Sequence, residues 1–206
     1  SPDPVKWLFY GDSITHGALH TFGGRDYTQL FSERVRFELG RTMDIVINTA
    51  ISGNTTRPLV EGFDWRVTQF DPDAVLLMIG MNDCSDNNEV TLEEFVANLR
   101  VLVDRIRALG SEMVLQTTCP ILPGTAPDRE PHFDGYMDAI RDLAAEADLP
   151  LVDHTEYWRQ HADRHDYWMS DSFHPNHHGH CAFARLLYES LGIYDPESQC
   201  CRLFYP

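Results

Sequence analysis

Short, nearly unbroken apolar runs alternate along this chain with longer stretches in which apolar residues recur every three or four positions. The runs occupy residues 5–10, 43–49, 74–79, 113–118 and 149–152. Apolar runs of this length, without polar alternation, fit strands buried on both faces of a parallel sheet. The helical periodicity falls between them. Residues 27–39 align Leu30, Phe31, Val35 and Leu39, and residues 92–109 align Phe95, Val96, Leu99, Leu102, Val103 and Ile106 ahead of a stop at Gly110. Further helices are expected over 133–147 and 175–191, with Pro175 in a first turn where its missing N–H costs nothing. Strand and helix in repeated alternation predict an α/β three-layer sandwich: a five-stranded parallel sheet, right-handed crossovers, and chemistry beyond the carboxyl ends of the strands.

The 206 residues suit one domain spanning 1–206, with 194–206 as a C-terminal tail packed on the domain or on a partner, and a homo-oligomer is compatible with this. Apolar residues make up 43% of the chain, yet no run approaches the roughly 20 apolar residues of a membrane span. No charged segment followed by an apolar core opens the sequence. Lys and Arg total 16 against 32 Asp and Glu, a net charge of −16, which argues against nucleic acid and anionic surfaces as partners and favours a neutral substrate. The five cysteines, Cys84, Cys119, Cys181, Cys200 and Cys201, follow no disulfide or zinc spacing. Reduced thiols and a cytoplasmic setting are expected on that ground, with a bridge from Cys200 or Cys201 left open.

Four segments carry chemistry. Gly11-Asp12-Ser13-Ile14 follows the first run and leads into a helical start, where a serine hydroxyl can be presented beside free backbone N–H groups. Ser52-Gly53-Asn54 follows the second run, and Gly80-Met81-Asn82-Asp83 follows the third. Asp171-Ser172-Phe173-His174 precedes the last helix, and this spacing lets a carboxylate hold one imidazole nitrogen while the other faces a hydroxyl. Each segment alone has a plainer reading: Ser13 as a helix N-cap, Gly53 and Asn82-Asp83 as turn residues, Asp171 and His174 as caps of the last helix.

Together and in this order, the four segments resemble the SGNH/GDSL hydrolase family, with Ile14 where leucine is common. The resemblance spans Gly11 to His174 and implies the flavodoxin-like SGNH fold. It implies a serine esterase in which Ser13 is nucleophile, His174 its base and Asp171 the residue that orients the base. The Ser13 N–H, Gly53 N–H and Asn82 side chain would form the oxyanion hole, with no metal or organic cofactor. Asp12 is expected to support the loop, and Asp83 to cap or hold it. By resemblance, a compact member without an evident lid points to short acyl groups, acetyl first, on a carbohydrate or other small neutral ester. Lysophospholipase or thioesterase activity is the alternative within this chemistry, and a non-catalytic carbohydrate-binding module the alternative outside it.

Other features stay structural at this level. His154, His161, His165, His177, His178 and His180 crowd the C-terminal part without completing a tetrahedral metal set; His177 and His178 are expected exposed in a first turn, and His180 packed. The proline-rich stretch 118–131 is expected on the active-site side, as cleft wall or surface loop. Trp65, Tyr157, Trp158, Tyr167 and Trp168 are expected to be mostly buried, with residues 166–168 the best placed to line a cleft. Arg25, Arg57 and Arg129 fall in expected loops on the same side.

Overall fold

The computed structural model describes residues 3–17 and 19–202. Five strands, β1 (Lys6–Gly11), β2 (Ile45–Asn48), β3 (Ala74–Met78), β4 (Glu112–Gln116) and β5 (Leu151–Val152), form an all-parallel sheet in the order β2-β1-β3-β4-β5. The helices are α1 (Ser13–His16), α2 (Tyr27–Glu33), α3 (Thr56–Glu61), α4 (Phe63–Arg66), α5 (Leu92–Ala108), α6 (Glu130–Glu146), α7 (His154–Gln160), α8 (His165–Trp168) and α9 (His177–Ser190). The predicted three-layer α/β sandwich is the observed one.

Alternation along β1 assigns the two layers. Phe9 packs edge-on against Tyr27 and Phe31 of α2, whereas the next residue, Tyr10, meets Phe63 and donates its hydroxyl to the Leu59 carbonyl of α3. α2 packs with α9 on one face, and α3, α5 and α6 pack in sequence on the other. β3, in the middle of the sheet, is buried throughout, as its unbroken apolar run requires. At β1, Gly11 pairs with Met78, and a Cβ there would lie 2.2 Å from the Met78 carbonyl oxygen, so only glycine allows the two strands to close at the point where the chain leaves the sheet.

Several boundaries differ from the sequence pattern. β2 is an edge strand with Ile45 53% exposed, so its apolar run is not buried on both faces. β5 shortens to two residues. The helical stretch from Tyr27 loosens into a π-helical segment, Arg34–Glu38, and Leu39 leaves the buried face. Arg34 is itself buried and donates from Nε and Nη2 to the Ile193 carbonyl, drawing this segment to the end of the α9 layer. Pro175 is not in the first turn of α9. It forms an isolated bridge with Met169, and Asn176 caps the helix by accepting from the His178 and Gly179 N–H groups.

Cys200 and Cys201 are buried, and the Cys200 N–H donates to Glu38. All five cysteines are free thiols. The tail residues Leu203, Phe204 and Tyr205 lie outside the described residues. Among the described residues, no helix is long and apolar enough to cross a membrane.

Candidate active site

The sheet reverses direction between β1 and β3: the chain steps outward from β1 to β2, then returns past β1 to β3. In open α/β sheets a crevice forms at such a point. The loops after β1 and β3 carry Ser13 and Asn82, and the loop before α9 carries Asp171 and His174.

Ser13 is not the N-cap. Asp12 takes that position, accepting from the Ile14 N–H at 3.0 Å, so the Ser13 hydroxyl is free for another partner. That partner is His174 Nε2, 2.8 Å away. The other ring nitrogen, Nδ1, lies 3.0 and 2.9 Å from the two oxygens of Asp171. Asp171 also accepts from the backbone N–H groups of Phe173 and His174, an Asx-turn that fixes the carboxylate against its own loop. A carboxylate facing Nδ1 selects the tautomer with the proton there, which leaves Nε2 as acceptor toward Ser13. Burial lowers the pKa of His174 although Asp171 pulls it up, so the ring is neutral near pH 7. Burial alone would raise the pKa of Asp171, but the Phe173 N–H and the His174 ring outweigh it and hold the carboxyl ionised.

The second loop is fastened on both sides of Gly53. Ser52 Oγ is 3.0 Å from His16 Nδ1 of α1, and the Ile51 N–H donates to the Gly11 carbonyl. On the other side, Asn82 Nδ2 donates to the Asn54 carbonyl at 3.0 Å, and Arg66 donates to the Asn54 side chain and to the Thr49 and Gly11 carbonyls. Gly53 itself has φ +81° and nothing within 4 Å of a would-be Cβ, so backbone conformation rather than space calls for glycine. Asp83 holds the same loop by accepting from the Thr56 N–H and hydroxyl, in the role that Thr55, the N-cap of α3, does not fill with its own side chain.

Two carboxyls beneath the site are buried with one oxygen each unpartnered, Asp12 Oδ2 and Asp83 Oδ2. Burial pushes Asp12 up to about 7, assisted by the charge of Asp83, and burial pushes Asp83 up to about 6. An orphaned oxygen on a carboxyl that keeps its proton is less costly than one on a carboxylate.

A histidine that no motif marked joins this group. The His20 ring lies parallel to that of His174, with centroids 3.7 Å apart and planes 4° apart, and its Nδ1 is 3.5 Å from Asp171 Oδ2. His20, Asp171 and His174 offer ligand atoms within 4.8 Å of one another. A metal about 2.1 Å from an imidazole nitrogen sits near the ring plane. Two parallel, stacked planes share no such point, so these residues fit a stacked pair and not a metal centre.

The first part of the proline-rich stretch packs beneath the site, while its tip is a surface loop: Thr118, Cys119 and Ile121 are buried, the Leu122 N–H donates to the Ser172 carbonyl and Cys119 Sγ contacts the Phe173 carbonyl, whereas Pro123, Gly124, Thr125 and Pro127 are exposed. Arg129 packs its guanidinium 4.2 Å over the Phe173 ring and donates to the Met81 carbonyl. Arg57 lies on α3 and not in a loop, paired with Glu94, and Arg25 pairs with Glu33. Trp158 and Trp168 are buried against each other, Trp65 is 74% exposed, and Tyr167 is exposed beside His178. His177 and His178 occupy the first turn of α9 as expected but are half-buried, while His180 is packed and accepts from the Tyr27 N–H.

A family model described as GDSL-like Lipase/Acylhydrolase matches residues 9–182. The chain belongs to the GDSL-like lipase/acylhydrolase family. As a member it is a carboxylic ester hydrolase. Over 208 aligned residues it is 28% identical to an acetylxylan esterase of Geobacillus stearothermophilus, covering 91% of this chain and 94% of that protein. It is 27% identical over 193 residues to rhamnogalacturonan acetylesterase RhgT of Bacillus subtilis, covering 84% and 78%. The crystal structure of a catalytic serine-to-alanine mutant of the Geobacillus acetylxylan esterase superposes with a TM-score of 0.77 at 27% identity, over 91% of this chain and 94% of that one. In this GDSL family chain, the sequence missed two site residues. Arg66 carries no motif signal, because its function is to cross-link two loops. His20 carries none because it reaches Asp171 and His174 only through the tertiary fold.

Proposed function

We propose that this GDSL family esterase removes short acyl groups, acetyl first, from carbohydrate esters through an acyl-enzyme on Ser13. The observation that carries the reading is the continuous relay of Ser13 Oγ, His174 and Asp171 at 2.8 and 2.9 Å. His174 Nε2 takes the hydroxyl proton as Oγ attacks the ester carbonyl, and Asp171 stabilises the imidazolium that forms. The developing oxyanion is met by the Ser13 N–H, which as the first helical residue lacks an intrahelical acceptor, by the Gly53 N–H and by the second hydrogen of Asn82 Nδ2. His174 then gives its proton to the departing sugar oxygen, and a water deprotonated by the same nitrogen attacks the acyl carbon, releasing acetate as the proton passes on to Ser13 Oγ. The acetylxylan and rhamnogalacturonan acetylesterase names of its relatives support acetyl as the acyl group and a carbohydrate as its carrier. The catalytic serine mutant made in the first of these supports Ser13 as nucleophile.

The test is hydrolysis of p-nitrophenyl acetate, butyrate and octanoate, with acetate release from acetylated xylo-oligosaccharides, by wild type and Ser13→Ala. Acetate turnover should fall by about 10⁴ or more in Ser13→Ala and decline steeply with acyl length in wild type. Preference for octanoate would replace the deacetylase reading by a lysophospholipase or thioesterase one. Equal rates in wild type and Ser13→Ala would remove the assigned site.

A further inference from the structure

The proposed relay leaves one imidazole without a task. His20 lies in a stretch whose backbone is unusual on both sides: Leu19 has φ +67° and Phe22 φ +51°, left-handed conformations that side-chain-bearing residues disfavour. Neither residue gains burial in return, since Leu19 is 87% and Phe22 74% exposed. What the strained turn does bury is Thr21, and what it presents is the His20 ring, laid flat on His174. The turn is held from behind, for a Cβ on Gly24 would come within 2.6 Å of the His177 Cβ at the start of α9. Strain retained at such a place is a mark of function.

We propose that His20 is a positioning residue for His174, clamping the imidazole in the plane that joins Ser13 Oγ to Asp171 and supporting the imidazolium with its own ring face. This rests on the reading of Ser13, His174 and Asp171 as the reacting set. A parallel ring at 3.7 Å blocks rotation of His174 out of that plane and excludes water from one of its faces. When Ser13 gives up its proton, the aromatic face beside the new cation attracts it. The remaining charged or titratable neighbours do not help: Arg129, from the start of α6, acts against a cation on His174, and His177 and His180 of α9 carry no negative charge.

The experiment compares wild type, His20→Ala, His20→Phe and His20→Gln for kcat and KM on p-nitrophenyl acetate from pH 5 to 8, with circular dichroism to confirm folding. His20→Ala and His20→Gln should lose roughly 10-fold in kcat with KM within about twofold, the size expected of a desolvated cation–ring contact. His20→Phe keeps a flat ring and should recover kcat to within about threefold of wild type at pH 8. The two nonaromatic variants guard against one that fails to fold. Unchanged kcat in His20→Ala or His20→Gln, equal losses in His20→Phe and His20→Ala, or losses confined to KM would each overturn the proposal. Ser13→Ala is assayed alongside: if it stays active the relay reading fails, whereas an inactive Ser13→Ala with fully active His20 variants removes only the role of His20.

Discussion

Replacing Asp171 by asparagine isolates what the carboxylate does for His174. The amide oxygen of the variant can still accept from the Phe173 and His174 backbone N–H groups, so the turn that now holds the carboxylate survives. The amide nitrogen then faces His174 Nδ1. Two donors cannot face each other, so the ring takes the opposite tautomer, and Nε2 carries the proton that should have come from Ser13. Charge is lost as well. Opposite unit charges about 4 Å apart interact by about 4 kcal/mol at an effective dielectric of 20. The Asp171 side chain is 44% exposed, and solvent screening reduces this to roughly 2 kcal/mol. Reversing the tautomer adds about 1–2 kcal/mol for the hydrogen bond lost. The sum, about 3–4 kcal/mol, corresponds to a fall of roughly 10²–10³ in kcat, less than the roughly 10⁴ found for an Asp→Asn change in a buried relay. The assay is steady-state hydrolysis of p-nitrophenyl acetate at pH 8, with melting curves to check that the loop holds. A fall of less than about threefold, or one expressed only in KM, would refute the orientation argument, because it would mean that His174 keeps its tautomer and position without Asp171.

The remaining predictions follow from burial and from the oxyanion donors. Asn82→Ala should lower kcat by roughly 10²–10³ with a small change in KM if, as proposed, its free N–H acts on charge that appears only in the transition state, and a change confined to KM would exclude that role. The acid limb of kcat/KM should have its midpoint below the ordinary imidazole value of about 6.5, because burial lowers the pKa of His174 and its neutral form is the active one; a midpoint above 7 would contradict this. Asp12→Asn should stabilise the fold increasingly as pH rises. The folded Asp12 carboxyl titrates near 7 and the unfolded one near 3.8, so in wild type the folded state holds the extra proton and stability is lost as pH rises between these values. The advantage of the variant in urea unfolding should grow from pH 4 to 7 and level off above, and an advantage independent of pH would mean that Asp12 is ionised in the fold.

Local pattern determined the layers and pointed to most of the candidate site. A strand in the middle of a parallel sheet had to be a short apolar run, because water is excluded from both its faces, and β3 could be read directly for that reason. Ser13, Gly53, Asn82, Asp171 and His174 could be read as candidates because each sits within a few residues of a strand end or a helix start, where turn geometry ties residue type to position. Only the tertiary structure decided features that depend on which distant segments meet. Ile45 looks like a core residue until β2 proves to be the sheet edge, and an apolar run does not record how many neighbours its strand has. Pro175 obeys the rule for a first helical turn, yet the bridge to Met169 displaces the helix start and hands the cap to Asn176. Arg66 looks like an ordinary surface charge in sequence and proves to be a buried cross-link between the loops that carry the candidate site, whereas Asp83 holds its loop as its motif position suggested. His20 is the extreme case: 154 positions before His174 in the chain and outside every motif, it acquires meaning only when α9 closes against the turn after α1 and two imidazole rings come to lie face to face. Sequence separation sets no limit on such contacts, because they are made by packing and not by the repeat of a helix or strand.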